Sequence, residues 1–143
     1  MAYYDNIEQM YEVYEKFLEK VFSDPTVGGK LQKAKVKIRF NYTEPEGSVF
    51  LNFADPPEKE GMFGSYKLGE CDDEADVTMT QSADFSHRFW QGKENAVTAL
   101  AMGKIKASGA VQKAMGLVTA IRPTFKMYKS VLTELGYEDK IIE

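Results

Sequence analysis

The hydrophobic period of this 143-residue chain changes abruptly near residue 25. Before it, Ile7, Met10, Tyr11, Tyr14, Phe17, Leu18, Val21 and Phe22 recur at three- and four-residue intervals, with Glu8, Glu12, Glu15 and Glu19 among the positions between. That is one face of an amphipathic helix. Beyond it, Val36, Ile38, Phe40 and Tyr42 alternate with Lys35, Lys37, Arg39 and Asn41. That is a half-buried strand with a solvated basic face. A chain that contains both patterns has to lay helix on sheet.

The remaining elements follow from punctuation. Asp5 with Glu8, or Asn6 with Gln9, can cap the first helix, and Asp24-Pro25 stops it. Residues 26–32 read as a turn with a short helical piece. After the turn at Glu44–Gly47, residues 48–55 form a second strand, with Val49, Leu51 and Phe53 on one side and Phe50 on the other. A glycine-weakened third strand covers 62–70, and "CDDE" is an acidic turn. Residues 75–81 form a fourth strand, with Ala75, Val77 and Met79 on one face. Ser82 can cap a short helix that carries Phe85, Phe89 and Trp90 and ends at Gly92. A second short helix runs from Ala96 to Met102, and a fifth strand starts at Lys104. A long helical stretch follows, which Pro123 kinks or splits, with Gly136 at its C-cap. Helix, four strands, helices, strand and helix make an α+β domain with one sheet and helices on one face.

Several chemistries have no support. His87 is the only histidine, without a partner for a metal site, and reads as an exposed or capping residue. Cys71 stands alone, so an internal disulfide is impossible and a reducing, cytoplasmic setting is expected. "NYT" at 41–43 falls in a strand and is read as a chance sequon. No GxxxxGK[ST] or GxGxxG motif is present. The N-terminus lacks the basic and apolar regions of a secretory signal, and no apolar run approaches the ~20 residues that span a bilayer. The formal charge is −4, which disfavours nucleic acid. Lys30, Lys33, Lys35, Lys37 and Arg39 nonetheless form a local basic run. It reads first as a guard on an exposed sheet edge and otherwise as a weak contact for an anionic membrane surface.

The stretch "GKIKASGAVQKAMGL", 103–117, puts a strand of little bulk ahead of a soft helix. Small residues and methionines cluster there and just upstream: Ala96, Ala99, Ala101, Met102, Ala107, Gly109, Ala110, Ala114, Met115 and Gly116. Either two elements pack very closely, or space is left for an apolar ligand beside Phe85, Phe89 and Trp90. Methionine suits the second use because it is unbranched and adaptable.

Residues 75–117 resemble the sterol carrier protein 2 family of lipid-transfer domains. The resemblance rests on Asp76-Val77-Thr78-Met79-Thr80, Asp84-Phe85, Gly92-Lys93, the run Ala99-Leu100-Ala101-Met102-Gly103-Lys104-Ile105-Lys106, Gly109 and Ala114-Met115. The chain departs from the family's pattern at Glu94-Asn95-Ala96, where Asn-Pro is usual, and at Ala110, where an acidic or amide residue is usual. The resemblance implies a five-stranded, mainly antiparallel sheet covered by helices, in a single domain over residues 1–143. It implies a hydrophobic tunnel for a fatty acid, an acyl thioester or a sterol-like ligand, no cofactor and no catalysis. The partner would be a lipid or another hydrophobic small molecule. Expected tunnel residues are Leu51, Phe53, Val77, Met79, Phe85, Phe89, Trp90, Leu100, Met102, Ile105, Ala107, Met115, Val118, Phe125 and Tyr128. Two other readings stay open: a small accessory enzyme using Asp84, His87 or Tyr66 as acid or base, and a dimerisation domain with a filled core. The stripe Phe125, Tyr128, Val131 and Leu132 can be a lid over the tunnel or part of the core.

Overall fold

The computed structural model describes residues 2–143. Helix α1 spans Ile7–Ser23 and buries Met10, Val13, Tyr14, Phe17, Leu18, Val21 and Phe22. Asn6 caps it by accepting from the Gln9 backbone N–H at 2.8 Å, and Gln9 returns its side-chain oxygen to the Asp5 N–H at 2.8 Å. Asp24 ends α1 and caps the next helix. Its carboxylate accepts from the N–H groups of Thr26 and Val27, both at 2.9 Å. Pro25 opens α2 (Pro25–Gln32), where its missing N–H costs nothing.

Five strands follow: β1 Lys37–Thr43, β2 Gly47–Asn52, β3 Ser65–Leu68, β4 Val77–Ser82 and β5 Lys106–Gly109. Their order across the sheet is β3-β2-β1-β4-β5. Only β1 and β4 run parallel; the other neighbours are antiparallel. The register places Ile38, Phe40 and Tyr42 beside Leu51 and Val49 on one flank and beside Val77, Met79 and Gln81 on the other. These residues share the face that α1 covers. The opposite face carries Lys37, Arg39, Asn41, Thr78, Thr80 and Lys106.

Between and after the strands lie α3 (Ala83–Phe89), α4 (Ala96–Ala101), α5 (Val111–Met115) and α6 (Thr124–Glu134), with a 3₁₀ turn at Glu138–Lys140. Ser82 caps α3 through the Phe85 N–H at 3.0 Å. Helix α6 buries Tyr128, Val131 and Leu132 completely and packs on α1. No described helix is long and apolar enough to cross a membrane.

Several expectations need correction. The basic strand is no edge guard, because β1 is the central strand. Its Arg39 lies over the Phe50 ring at 5.4 Å and donates to the backbone carbonyl oxygens of Cys71 and Asp73. Lys37 pairs with Asp55 at 3.3 Å. The third strand is shorter than residues 62–70. The Asn52 side chain accepts from the N–H groups of Ala54 and Asp55 and turns β2 away, so β3 has no partner beyond that point. The fifth strand starts at Lys106, not Lys104. The N–H groups of Lys104 and Ile105 both reach back to the Ala99 carbonyl, at 2.9 and 3.3 Å, and so finish α4. The long terminal helix is two helices, α5 and α6, separated by a chain of turns over 116–123. His87 is neither exposed nor a cap; it is fully buried.

Candidate functional site: an apolar cavity between sheet and helices

The apolar face of the sheet and the helices do not close completely on one another. They leave a cavity of about 80 Å³. The sheet supplies Ile38, Phe40, Leu51, Met79 and Gln81, with Phe53 just past β2. Helix α1 supplies Phe17, Leu18, Val21 and Phe22. Phe89 and Trp90 close one side. The outer wall is Ala114 and Met115 of α5 followed by Leu117, Val118 and Ile121. No Lys, Arg, His, Asp or Glu lines the cavity.

Eight expected tunnel residues meet in this lining: Leu51, Phe53, Met79, Phe89, Trp90, Ile105, Met115 and Val118. The other seven lie elsewhere. Val77 and Phe85 are buried in the packed core. Leu100 and Ala107 are half-buried outside the lining. Met102 is 68% exposed, because α4 ends at Ala101 and Gly103, at φ +78°, turns the chain away. Phe125 faces a shallower outer hollow that shares Phe89, Ala96, Val118 and Ile121 with the cavity and adds Lys93 and Arg122. Tyr128 is consumed by a buried polar cluster. The α1 side chains and Ile38 and Phe40 are legible in the sequence as core positions. Their role as cavity wall is not, since the period shows which face is apolar but not whether atoms or space meet it.

The light stretch at 103–117 contains both close packing and open space. Gly109 is close packing: at φ +88°, a Cβ there would lie 2.3 Å from the Asp76 carbonyl oxygen. Ala114 and Met115, five and six residues later, border the void. The wall they belong to is weakly tied. Helix α5 has five residues and no side-chain cap. From Leu117 to Thr124 the backbone is held by local bonds such as Leu117 N–H to Ala114 O at 3.0 Å and Ile121 N–H to Leu117 O at 3.0 Å. Segments held only by local bonds open at low free-energy cost.

The buried polar cluster stands apart from this lining. His87 Nδ1 lies 2.7 Å from the Tyr128 hydroxyl and 3.2 Å from the Tyr4 hydroxyl, which also contact each other. His87 Nε2 lies 2.7 Å from the Lys140 carbonyl oxygen. A carbonyl only accepts, so Nε2 carries the proton and Nδ1 accepts from a tyrosine. Gln91 completes the tie, donating to the Lys140 carbonyl at 3.2 Å and accepting from the Ile142 N–H at 2.7 Å. Burial lowers the imidazole pKa from 6.5 to about 4, with the Lys140 charge adding to the effect. Burial likewise raises the phenol pKa values of Tyr4 and Tyr128 well above their ordinary range.

The three groups considered for acid–base work do not converge. His87 is engaged as described. The Asp84 carboxylate accepts from the Tyr3 backbone N–H at 3.0 Å. Tyr66, on the edge strand β3, donates to the Glu15 carboxylate of α1 at 3.2 Å. No group of three or more metal-ligating side chains occurs among the described residues.

The sequence pattern of the SCP-2 sterol transfer family matches residues 14–122. Among solved structures, sterol carrier protein 2 from Yarrowia lipolytica in its apo form is similar, with a TM-score of 0.61 at 22% identity, over 85% of this chain and 94% of that one. The sterol carrier protein domain 2 of Helicoverpa armigera gives a TM-score of 0.59 at 23% identity, over 80% and 89%. The inverting sec-alkylsulfatase Pisa1 from Pseudomonas sp. gives 0.52 at 16% identity, over 65% of this chain but 14% of that one. At these identities the similarity concerns the fold. No curated protein sequence matches the chain.

Proposed function

The chain belongs to the SCP-2 sterol transfer family, and from that premise we propose that it is a lipid carrier that buries an acyl chain or sterol-like body in the cavity between α1 and the sheet. The observation that carries this reading is the lining itself: aliphatic and aromatic side chains, with Gln81 and Thr124 the two polar ones and no ionisable group. Such a surface favours alkyl carbon and offers no catalytic set. The names of the similar structures point the same way, toward sterol carriage.

The resting volume sets a condition on this function. About 80 Å³ is roughly half of the ~150 Å³ that accommodates a benzene. A long chain therefore enters only as the wall moves outward, and the segment 111–123, with its local bonds and its adaptable Met115, is the part free to do so. Burying roughly ten methylenes at ~0.8 kcal/mol each gives on the order of 8 kcal/mol, a dissociation constant near micromolar before the cost of opening. Displacement of a fluorescently labelled acyl chain by unlabelled long-chain lipids tests this. Saturable displacement in the micromolar range is expected; none up to about 100 µM contradicts it.

Trp90 should report occupancy. It is the only tryptophan, is 9% exposed, lines the cavity, and sits edge-on to Phe17 and Phe89 with centroids 5.1 Å away in each case. Its emission is expected to shift or quench as lipid is added. An unchanged spectrum during demonstrated binding would place the ligand away from the Phe17–Phe89 end.

A further inference from the structure

One lining residue does not belong in a container for pure hydrocarbon. Gln81 continues the inward row Val77, Met79, Gln81 of β4, opposite Tyr42 in register. It is 94% buried, being 6% exposed, and it lines the cavity. Among the described residues its side-chain amide has no hydrogen-bond partner, whereas Gln91, the other buried glutamine, bonds His87, Lys140 and Ile142. Yet among the described residues no sealed side-chain nitrogen or oxygen lacks a partner. The amide is therefore not sealed in by carbon: its atoms keep accessible surface, and the residue borders the void. The other short polar side chain of the lining, Thr124, already donates its hydroxyl to the Ile121 carbonyl at 2.5 Å.

An amide buried without a partner is unfavourable, and a methionine of similar length in its place would leave a wholly apolar wall. The arrangement becomes favourable when the ligand brings the missing partner. We infer that Gln81 hydrogen-bonds a single uncharged polar group, a hydroxyl or an ester, thioester or ketone carbonyl, carried inside the cavity by an otherwise apolar ligand. An amide can donate through Nε2 and accept through Oε1, so it meets a carbonyl or a hydroxyl equally well. An ionised carboxylate does not fit beside it. No cation lines the cavity to compensate the buried charge. A free fatty acid would have to keep its head group outside, or enter protonated.

This inference rests on the proposed carrier function and narrows its ligand. The test is a titration of the intact chain with decan-1-ol, methyl decanoate, decane and decanoate, in the wild type and in Gln81→Met and Gln81→Leu. The wild type should bind the alcohol and the ester about tenfold or more tightly than the alkane, beyond their difference in transfer from water. Both variants should lose that preference while still binding decane. They should also melt at higher temperature without ligand, because an unpaired amide has been removed. In the wild type the ester carbonyl stretch of bound methyl decanoate should lie at lower frequency than in either variant. An unchanged alcohol-to-alkane ratio together with an unshifted carbonyl stretch overturns the role of Gln81 but leaves the carrier function standing. Failure of all four compounds to bind wild type overturns the carrier function itself.

Discussion

A chain stopped after Arg122 is expected not to fold. The deletion removes Tyr128, Val131 and Leu132, all fully buried. At about 1.5–3 kcal/mol each their burial contributes roughly 5–9 kcal/mol, a large part of the 5–15 kcal/mol typical of a whole domain. It also strips His87 of both the Tyr128 hydroxyl and the Lys140 carbonyl, and Gln91 of its contacts to Lys140 and Ile142. The stripe that the sequence left open between lid and core is core for these three residues; Phe125 alone looks outward, across the hollow toward Phe89. Circular dichroism of the truncated chain decides the matter. A native-like spectrum with a cooperative melt and weakened lipid binding would restore the lid.

The second large effect is acid destabilisation through His87. In the unfolded chain the imidazole takes up a proton near pH 6.5, while in the folded chain burial postpones this to about pH 4. Between those values the unfolded state binds more protons, so stability falls as pH falls. The contribution is complete above about pH 6.5. About 2 kcal/mol is lost by pH 5 and about 3 kcal/mol by pH 4, at 1.36 kcal/mol per unit. Exposed Asp55, Asp73 and Glu134 also have lowered pKa values, from hydrogen bonds to Asn52, Lys67 and Lys20 respectively. Their contributions fade only below the ordinary carboxylate values of 3.8 and 4.5, so the window from pH 6.5 to 5 belongs to His87. Urea unfolding across that window should show the slope in the wild type and not in His87→Gln, which retains a donor for the Lys140 carbonyl. Equal slopes in both proteins would show that His87 titrates normally when folded.

His87 also shows where sequence reasoning stops. Its neighbours along the chain, Ser86 and Arg88, suggest an exposed or capping place on a short helix. Its burial is decided by Tyr4, Tyr128 and Lys140, separated from it by 83, 41 and 53 residues. Nothing local encodes those contacts. Helix α1 and strand β4 were legible because each has one apolar face with a regular period, and Asn6, Ser82 and Asp24 mark their boundaries. Strand β1 was equally legible as a strand, but its place at the centre of the sheet was not, because pairing order is a property of the assembled sheet. Of the fifteen residues expected around a tunnel, eight border the cavity, where small and soft side chains near Phe89 and Trp90 form one wall. The opposite wall, Phe17 to Phe22, looks the same in sequence whether it faces atoms or space. Gln81 continues the row of Val77 and Met79 in sequence, but that its amide finds no partner among the described residues is a property of the assembled fold.

One apolar ligand is expected to occupy one internal site. Native mass spectrometry of the intact protein, mixed with a long-chain lipid pool and freed of excess, tests it most directly. A complex of one lipid per chain is expected, saturating at that ratio and disappearing when Ala114 on the outer wall is changed to tryptophan, a side chain large enough to fill the space it borders. The uncomplexed mass alone at every lipid ratio, or adducts of two or more lipids that the Ala114→Trp variant keeps, would contradict it.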